Sequence, residues 1–319
     1  MSKIPLVIIL GPTAVGKTAI SIEIAKRLNG EIISADSMQI YKYMDIGTAK
    51  PSIEEREGVP HHLLDVVYPD EPFNVSLYKD LATKTIKEIY SRGKLPIVAG
   101  GTGLYINSLI YPLDFTDAHE DKEYREKLEK EAEEKGKDWL YNKLKLVDPE
   151  TAKRLHPNDV RRIIRALEVY HITGKPMSEY YGRDLRKNHQ YSIVLIGLTM
   201  ERNKLYDRIN KRVDIMVENG LVDEVKWLME KGYDRNLNSM QGLGYKEIIQ
   251  YLLGRRTLEE AIYILKRDTR RFAKRQLTWF RRLTHVNWIE VDTFEDKEEL
   301  IKHICDWIMD KLQIKYKEN

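Results

Sequence analysis

IPLVIILGPTAVGKT, residues 4–18, is the stretch whose reading decides the fold. Ile4 to Leu10 is an apolar run without alternation, as a strand buried on both faces requires. Gly11 to Thr18 (GPTAVGKT) then fits G-x-x-x-x-G-K-[ST] at full spacing. Glycine lets a backbone wrap so that its N–H groups face phosphate oxygens, and the N-terminus of the next helix adds positive potential. Lys17 is expected to reach a terminal phosphate and the Thr18 hydroxyl to join a magnesium ion. The plain alternative, a glycine-rich strand-to-helix turn, would match this pattern by chance in about one chain in a hundred of this length. The strand and helix flanks argue against it. The pattern identifies a phosphate, not a reaction.

Working outward, Thr18 to Leu28 has helical spacing and Glu31 to Asp36 (EIISAD) reads as a second strand. Leu77 to Tyr90 predicts a helix, and Leu95 to Ala99 a third buried strand leading into Gly-Gly-Thr-Gly. Strand and helix alternating in this way predict an α/β fold: a P-loop NTPase-like parallel sheet with helices on both faces. Glu120 to Lys145 and Val160 to Tyr170 look helical, and no further strand is expected before Tyr191 to Leu198. The simplest organisation is an all-helical insertion domain, 116–190, within a catalytic core formed by 1–115 and 191–319. Helices at 201–231, 244–252 and 257–283, a strand at Val286 to Val291 and a last helix complete the core.

Composition narrows the classes. In 319 residues, 42% are hydrophobic and 32% charged, which describes a soluble globular chain. The longest apolar run is too short to span a bilayer, and Met-Ser-Lys leads straight into a strand, so a cytoplasmic protein without a secretory leader is expected. Cys305 is the one cysteine, which excludes internal disulfides and cysteine-based zinc sites, and its helical spacing makes it a core residue. His61 and His62, read as adjacent loop residues, do not converge on an ion. Net charge is only +3, yet residues 266–282 hold eight Lys or Arg against one Asp, whereas 117–138 hold ten acids against six bases.

Asp36 closes the second strand, so the topology brings it to the crevice beside the phosphate loop. A carboxylate there can accept a proton, hold metal-bound water or cap the next turn. Gly100 to Tyr105 (GGTGLY) follows the third strand. Its glycines permit close backbone approach to a ligand and the Thr102 hydroxyl can donate to a phosphate oxygen, or the segment is simply a tight turn. Arg161, Arg162 and Arg165 share a helix. On the helix at 257–283, Ile262, Leu265, Phe272 and Trp279 read as the apolar stripe, flanked by arginines that suit a phosphate backbone.

GPTAVGKT, DSMQIY (36–41), GTAKP (47–51), HHLLD (61–65) and GGTGLY occur in that order, followed by RRIIRALEVYHITGKP (161–176), LYDRINKRVDIMVENGLVDEV (205–225), QGLGYKE (241–247) and TRRFAKRQLTWFRR (269–282). The chain thereby resembles the tRNA dimethylallyltransferases, also called tRNA isopentenyltransferases, of bacterial type, over nearly its whole length. The resemblance implies transfer of a dimethylallyl group from dimethylallyl pyrophosphate to the N6 amine of the adenosine 3′ of the anticodon (position 37) in tRNA, with Mg2+. It implies that Gly11, Thr13, Ala14, Val15, Gly16, Lys17 and Thr18 bind pyrophosphate. Thr102 would contact it, Lys17 and Arg208 would neutralise it, and Asp36 would orient the amine and take its proton, Asp36 and Thr102 also contacting the tRNA. Ser37, Met38 and Gln39, with Arg125, Arg161, Arg165, Gln241, Gly244 and Lys246, would contact tRNA, the insertion gripping the anticodon stem-loop. Two other classes share the phosphate loop. A kinase has no evident need for DSMQIY with a long basic helix, and a non-catalytic RNA-binding NTPase gives Asp36 and Thr102 no task.

Overall fold

The computed structural model describes residues 3–111, 121–181 and 190–313. The chain divides into two compact units, Met1–Leu109 with His189–Asn319, and Ile110–Asn188. The junction expected at 115 and 116 lies outside the described residues.

The first unit is built on one parallel sheet of six strands: β1 (Ile4–Leu10), β2 (Gly30–Ala35), β3 (His61–His62), β4 (Leu95–Gly100), β5 (Tyr191–Thr199) and β6 (Val286–Glu290), in the order β3-β2-β4-β1-β5-β6. The central β1 is flanked by β4 and β5, and Leu6 to Leu10 are fully buried, the burial its unbroken apolar run predicted. Helix α1 (Lys17–Arg27) and the terminal helix pack on Val7, Ile9, Ile97, Val194 and Ile196. Ile8, Ile33 and Val98 alternate with these along their strands and are also fully buried, so both faces of the sheet are covered; α2 (Val75–Ser91) lies against β1, β2 and β4. Cys305 sits in the core, fully buried, and burial pushes its thiol up to about 11.

Register aligns the strand ends that matter. Leu10 stands opposite Gly100, and Gly100 opposite Ala35. The residues just beyond, Gly11, Gly101 and Asp36, therefore leave the sheet along one line. Because β4 lies between β1 and β2, the crevice at these carboxyl ends is where an open α/β sheet takes its ligand.

His61 and His62 correct the loop reading. They form a two-residue edge strand parallel to β2, with Ile32 opposite His61. Periodicity cannot reveal so short a strand. His62 Nε2 lies 2.7 Å from Glu31 Oε2, which also accepts from Arg92 at 2.6 Å.

After α3 (Gly103–Ile110), the second unit holds α4 (Lys122–Lys135), α5 (Lys137–Val147), α6 (Pro149–Ala152), α7 (Val160–Thr173) and α8 (Met177–Tyr181). Gly136, at φ 88°, divides the charged stretch read as one helix. Leu128, Leu140, Leu144, Ile163, Ile164 and Leu167 close its core.

The first unit resumes with α9 (Arg202–Glu218), α10 (Leu221–Glu230), α11 (Tyr245–Leu252), α12 (Leu258–Phe280) and α13 (Lys297–Leu312). Gly220, at φ 96°, separates α9 from α10. A second apolar cluster joins Ile40, Tyr41 and Met44 to α9, α10, α11 and α12 through Val213, Val225, Tyr245 and Leu265. On α12 the buried residues are Ala261, Leu265, Ala273, Gln276 and Phe280. Phe272 is only partly buried and Trp279 is 36% exposed, so the expected stripe is displaced around the helix.

Candidate active site

The loop after β1 turns through Gly11 (φ 155°), Ala14 (φ 65°) and Gly16 (φ 104°). Gly16 precedes α1 without any side-chain cap, which leaves the helix N-terminus facing the crevice. Lys17 folds back over the loop, its Nζ donating to Gly11 O at 3.0 Å and Pro12 O at 2.8 Å. Burial lowers the Lys17 ammonium to about 7; the Asp36 carboxylate opposes the shift and the Arg212 guanidinium adds to it. Thr18, one residue on, is exposed.

Helix α9 supplies two cations one turn apart. Arg208 is exposed, and its Nη1 would lie 4.0 Å from a β-carbon at Gly16. Arg212, which the motifs did not single out, reaches further in: its Nη1 is 3.4 Å from Thr13 Oγ1. Burial holds Arg212 below its ordinary value, against the pull of Asp36 and Glu55. Its i, i+4 spacing from Arg208 is the sequence signal that could have found it.

Across the crevice, Asp36 Oδ1 accepts from Met38 N at 2.9 Å and Gln39 N at 3.3 Å. One oxygen thus caps the turn, and capping and reactivity share one carboxylate. Thr102 Oγ1 accepts from Ser37 N at 3.0 Å and lies 3.3 Å from the Ser37 hydroxyl. Its backbone N–H donates to Ala35 O at 3.0 Å. Thr102 therefore ties the end of β4 to the start of the Asp36 turn.

Protein packing accounts for the glycines of GGTG. A β-carbon at Gly100 would fall 2.2 Å from Ala35 O, one at Gly101 2.3 Å from Gln276 Nε2, and one at Gly103 2.3 Å from Trp279 Cδ1. Such separations are far inside van der Waals contact, so a β-carbon at Gly100 would meet fixed backbone, while one at Gly101 or Gly103 would force the Gln276 or Trp279 side chain to move.

The turn after Asp36 meets the QGLGYK segment. Gln39 Nε2 donates to Ala49 O at 3.1 Å, and a β-carbon at Gly242 would strike Met38 Cε at 2.4 Å. Gln241 is exposed and donates to Arg235 O at 2.6 Å. Gly244, at φ 96°, begins α11 and donates to Glu247 at 2.9 Å, while Lys246 Nζ lies 3.6 Å from Glu247 Oε1. Glu224, also unforeseen, accepts from Asp45 N, Ile46 N and Gly47 N and from the Tyr245 hydroxyl. It fixes the GTAKP turn.

In the second unit, Arg161 is exposed. Arg125 and Arg165 are instead held by Glu168, which is fully buried: Arg125 Nε and Nη2 donate at 2.8 and 2.9 Å and Arg165 Nη1 at 2.5 Å. Burial pushes the Glu168 carboxyl up, but the hydrogen bonds from Arg125, Arg165 and Asp121 N keep it below its ordinary value.

No cluster of three His, Cys, Asp or Glu suited to a metal occurs among the described residues. The loop region offers the Thr18 hydroxyl and, interacting with the Lys17 ammonium, the Asp36 carboxylate. Such a donor set fits magnesium, which takes most of its ligands from phosphate and water and few from protein.

A glycine loop after the central strand of a parallel sheet, opening on a crevice with cations on one side and a carboxylate on the other, defines a phosphate-loop α/β protein. The IPP transferase family model matches residues 39–283, and that of isopentenyl transferases matches residues 4–68. The chain belongs to the IPP transferase family. The tRNA dimethylallyltransferase of Acetivibrio thermocellus is 61% identical over 299 residues, covering 94% of this chain and 96% of its own length. The crystal structure of the full-length tRNA isopentenylpyrophosphate transferase of Bacillus halodurans superposes with a TM-score of 0.74 at 51% identity, over 98% of this chain and 97% of that one. A eukaryotic dimethylallyltransferase acting on tRNA gives a TM-score of 0.83 at 31% identity, over 100% of this chain and 82% of its own.

Proposed function

We propose that this chain transfers the dimethylallyl group of dimethylallyl pyrophosphate to the N6 amine of adenosine 37 in tRNA, releasing pyrophosphate. The observation that carries the reading is the meeting, along one line of strand ends, of a phosphate loop and the Asp36–Thr102 turn. The two halves suit two substrates, a diphosphate and a nucleophile that must give up a proton.

The diphosphate lies on the loop from Gly11 to Thr18, held by backbone N–H groups of Ala14, Val15 and Gly16, by the α1 N-terminus and by Lys17, with Arg208 and Arg212 beside it. As the allylic C–O bond breaks, its electron pair leaves with the diphosphate, and these fixed cations stabilise the charge as it develops. Magnesium, held by the Thr18 hydroxyl and the diphosphate oxygens, would supply further charge neutralisation. Adenosine 37 must leave its stack before reaction. Its amine lone pair is delocalised into the ring, so Asp36 orients the group and accepts its proton as the new C–N bond forms. Thr102 holds the Asp36 turn, while Ser37, Met38, Gln39 and the Gln241–Lys246 segment line the acceptor side.

The helical insertion, 116–190, grips the anticodon stem-loop. Arg161 meets the phosphate backbone, while Arg125 and Arg165 act mainly by shaping the surface through Glu168. A tRNA substrate supports a cytoplasmic location; among the described residues no helix is long and apolar enough to cross a membrane.

The test combines purified protein, magnesium, unmodified tRNA with adenosine after its anticodon, and labelled dimethylallyl pyrophosphate. Labelled tRNA is expected, with no phosphoryl transfer from labelled ATP. Magnesium-dependent ATP turnover without prenyl transfer would overturn the reading and favour a kinase.

A further inference from the structure

Gln276 is an amide where α12 would otherwise bury hydrocarbon. It is 7% exposed, and both ends of the side chain are engaged. Its Oε1 accepts from Thr13 N at 2.9 Å, and its Nε2 donates to Gly101 O at 3.0 Å. The amide sits close over Gly101, where a β-carbon would fall 2.3 Å from Nε2 and displace it. Thr13 belongs to the diphosphate loop and Gly101 precedes Thr102, which fixes Ser37 and the Asp36 turn. One side chain, 263 positions from the first contact and 175 from the second, spans the two halves of the crevice.

We propose that Gln276 is a positioning residue that sets the spacing between the diphosphate loop and the Gly101–Thr102 turn, and so aligns the prenyl donor with the acceptor amine. The inference rests on the dimethylallyl-transfer reading above. Each half keeps its own substrate contacts without the amide, so binding depends little on it. Bond formation needs the two reacting atoms in line at near-contact distance, where a shift of an ångström lowers rate far more than affinity. A buried amide has one acceptor end and one donor end, and here each meets a backbone group of the opposite kind. Hydrocarbon of the same size would leave both loops without this tie.

Two variants test it, with wild type as control and both substrates saturating. Gln276→Met should lower the single-turnover rate of prenyl transfer about 10- to 100-fold, while the Kd values for inorganic pyrophosphate and for tRNA stay within about threefold. Gln276→Glu should show a comparable loss at pH 8 and recover relative to wild type as pH falls toward 5.5. A protonated carboxyl offers one O–H to Gly101 O and one C=O to Thr13 N, the pattern of the amide. A side chain that merely fills space predicts no such pH-dependent recovery. A wild type unable to transfer prenyl would sink the proposed function and not this inference specifically. An active wild type with Gln276→Met at the same single-turnover rate overturns it. If Gln276→Met does not melt cooperatively, the Glu variant decides, and a ratio to wild type that is flat with pH overturns the proposal.

Discussion

Arg125 and Glu168 form a two-pronged ion pair, Nε to Oε1 at 2.8 Å and Nη2 to Oε2 at 2.9 Å, with the carboxylate fully buried. The carboxylate also takes Arg165 and the backbone N–H of Asp121, so a guanidinium that sequence reading assigns to RNA helps hold its own unit together. Glu168→Ala is expected to destabilise the unit by about 2 to 4 kcal/mol, near the low end for a broken buried pair because both arginines are partly exposed and rehydrate. The sign with pH follows from a folded carboxyl held below its ordinary value. Its stabilisation is present above the unfolded value near 4.3 and is lost as pH falls through the folded one. Urea melts at pH 7 and pH 3.5 measure both effects; a difference between wild type and variant that did not shrink in acid would contradict the assignment.

Asp36→Asn keeps an oxygen for Met38 N and Gln39 N and removes the proton acceptor. The fold should survive, with the single-turnover rate of transfer down by about two to four orders of magnitude. Affinity for tRNA should change much less. Rapid-quench measurement at saturating substrates decides, and a rate close to wild type would remove Asp36 from the chemistry.

Lys17 carries a second pH effect. Between pH 7 and the ordinary lysine value near 10.4, the unfolded chain holds more protons at this position than the folded one. Its contribution to stability therefore rises with pH across that window, and below it the cost of burying the ammonium is fully present. A bound diphosphate restores the charge, so binding at pH 8 should take up most of a proton. Calorimetry with inorganic pyrophosphate, free of metal and run in two buffers of different ionisation enthalpy, reads this uptake. It should vanish in Lys17→Met.

Gly103→Ala would drive a methyl group into the Trp279 indole. Overpacking of this kind costs about 1 to 3 kcal/mol. Trimming the partner as well, Gly103→Ala with Trp279→Leu, should recover part of that loss, since residues in contact do not add independently. Thermal melts of the two single variants and the double variant give the coupling. Strict additivity would mean the indole does not rest on Gly103.

The sequence by itself determined the sheet and the phosphate loop. Both follow from local rules: an unbroken apolar run makes a doubly buried strand, and glycines at fixed spacing followed by Lys-Thr make an anion cradle. Asp36 and Thr102 were legible too, because parallel strands all end on one side. Tertiary structure alone decided which arginines face the loop, which are consumed by Glu168, and why GGTG needs its glycines. It also decided that Gln276 is buried, and that His61 and His62 join the sheet. Apart from Arg165, three residues from Glu168, each of these depends on a partner tens to hundreds of residues away. Burial of a polar side chain is favourable only where such partners complete its hydrogen bonds, and no local pattern encodes where a distant backbone group will stand.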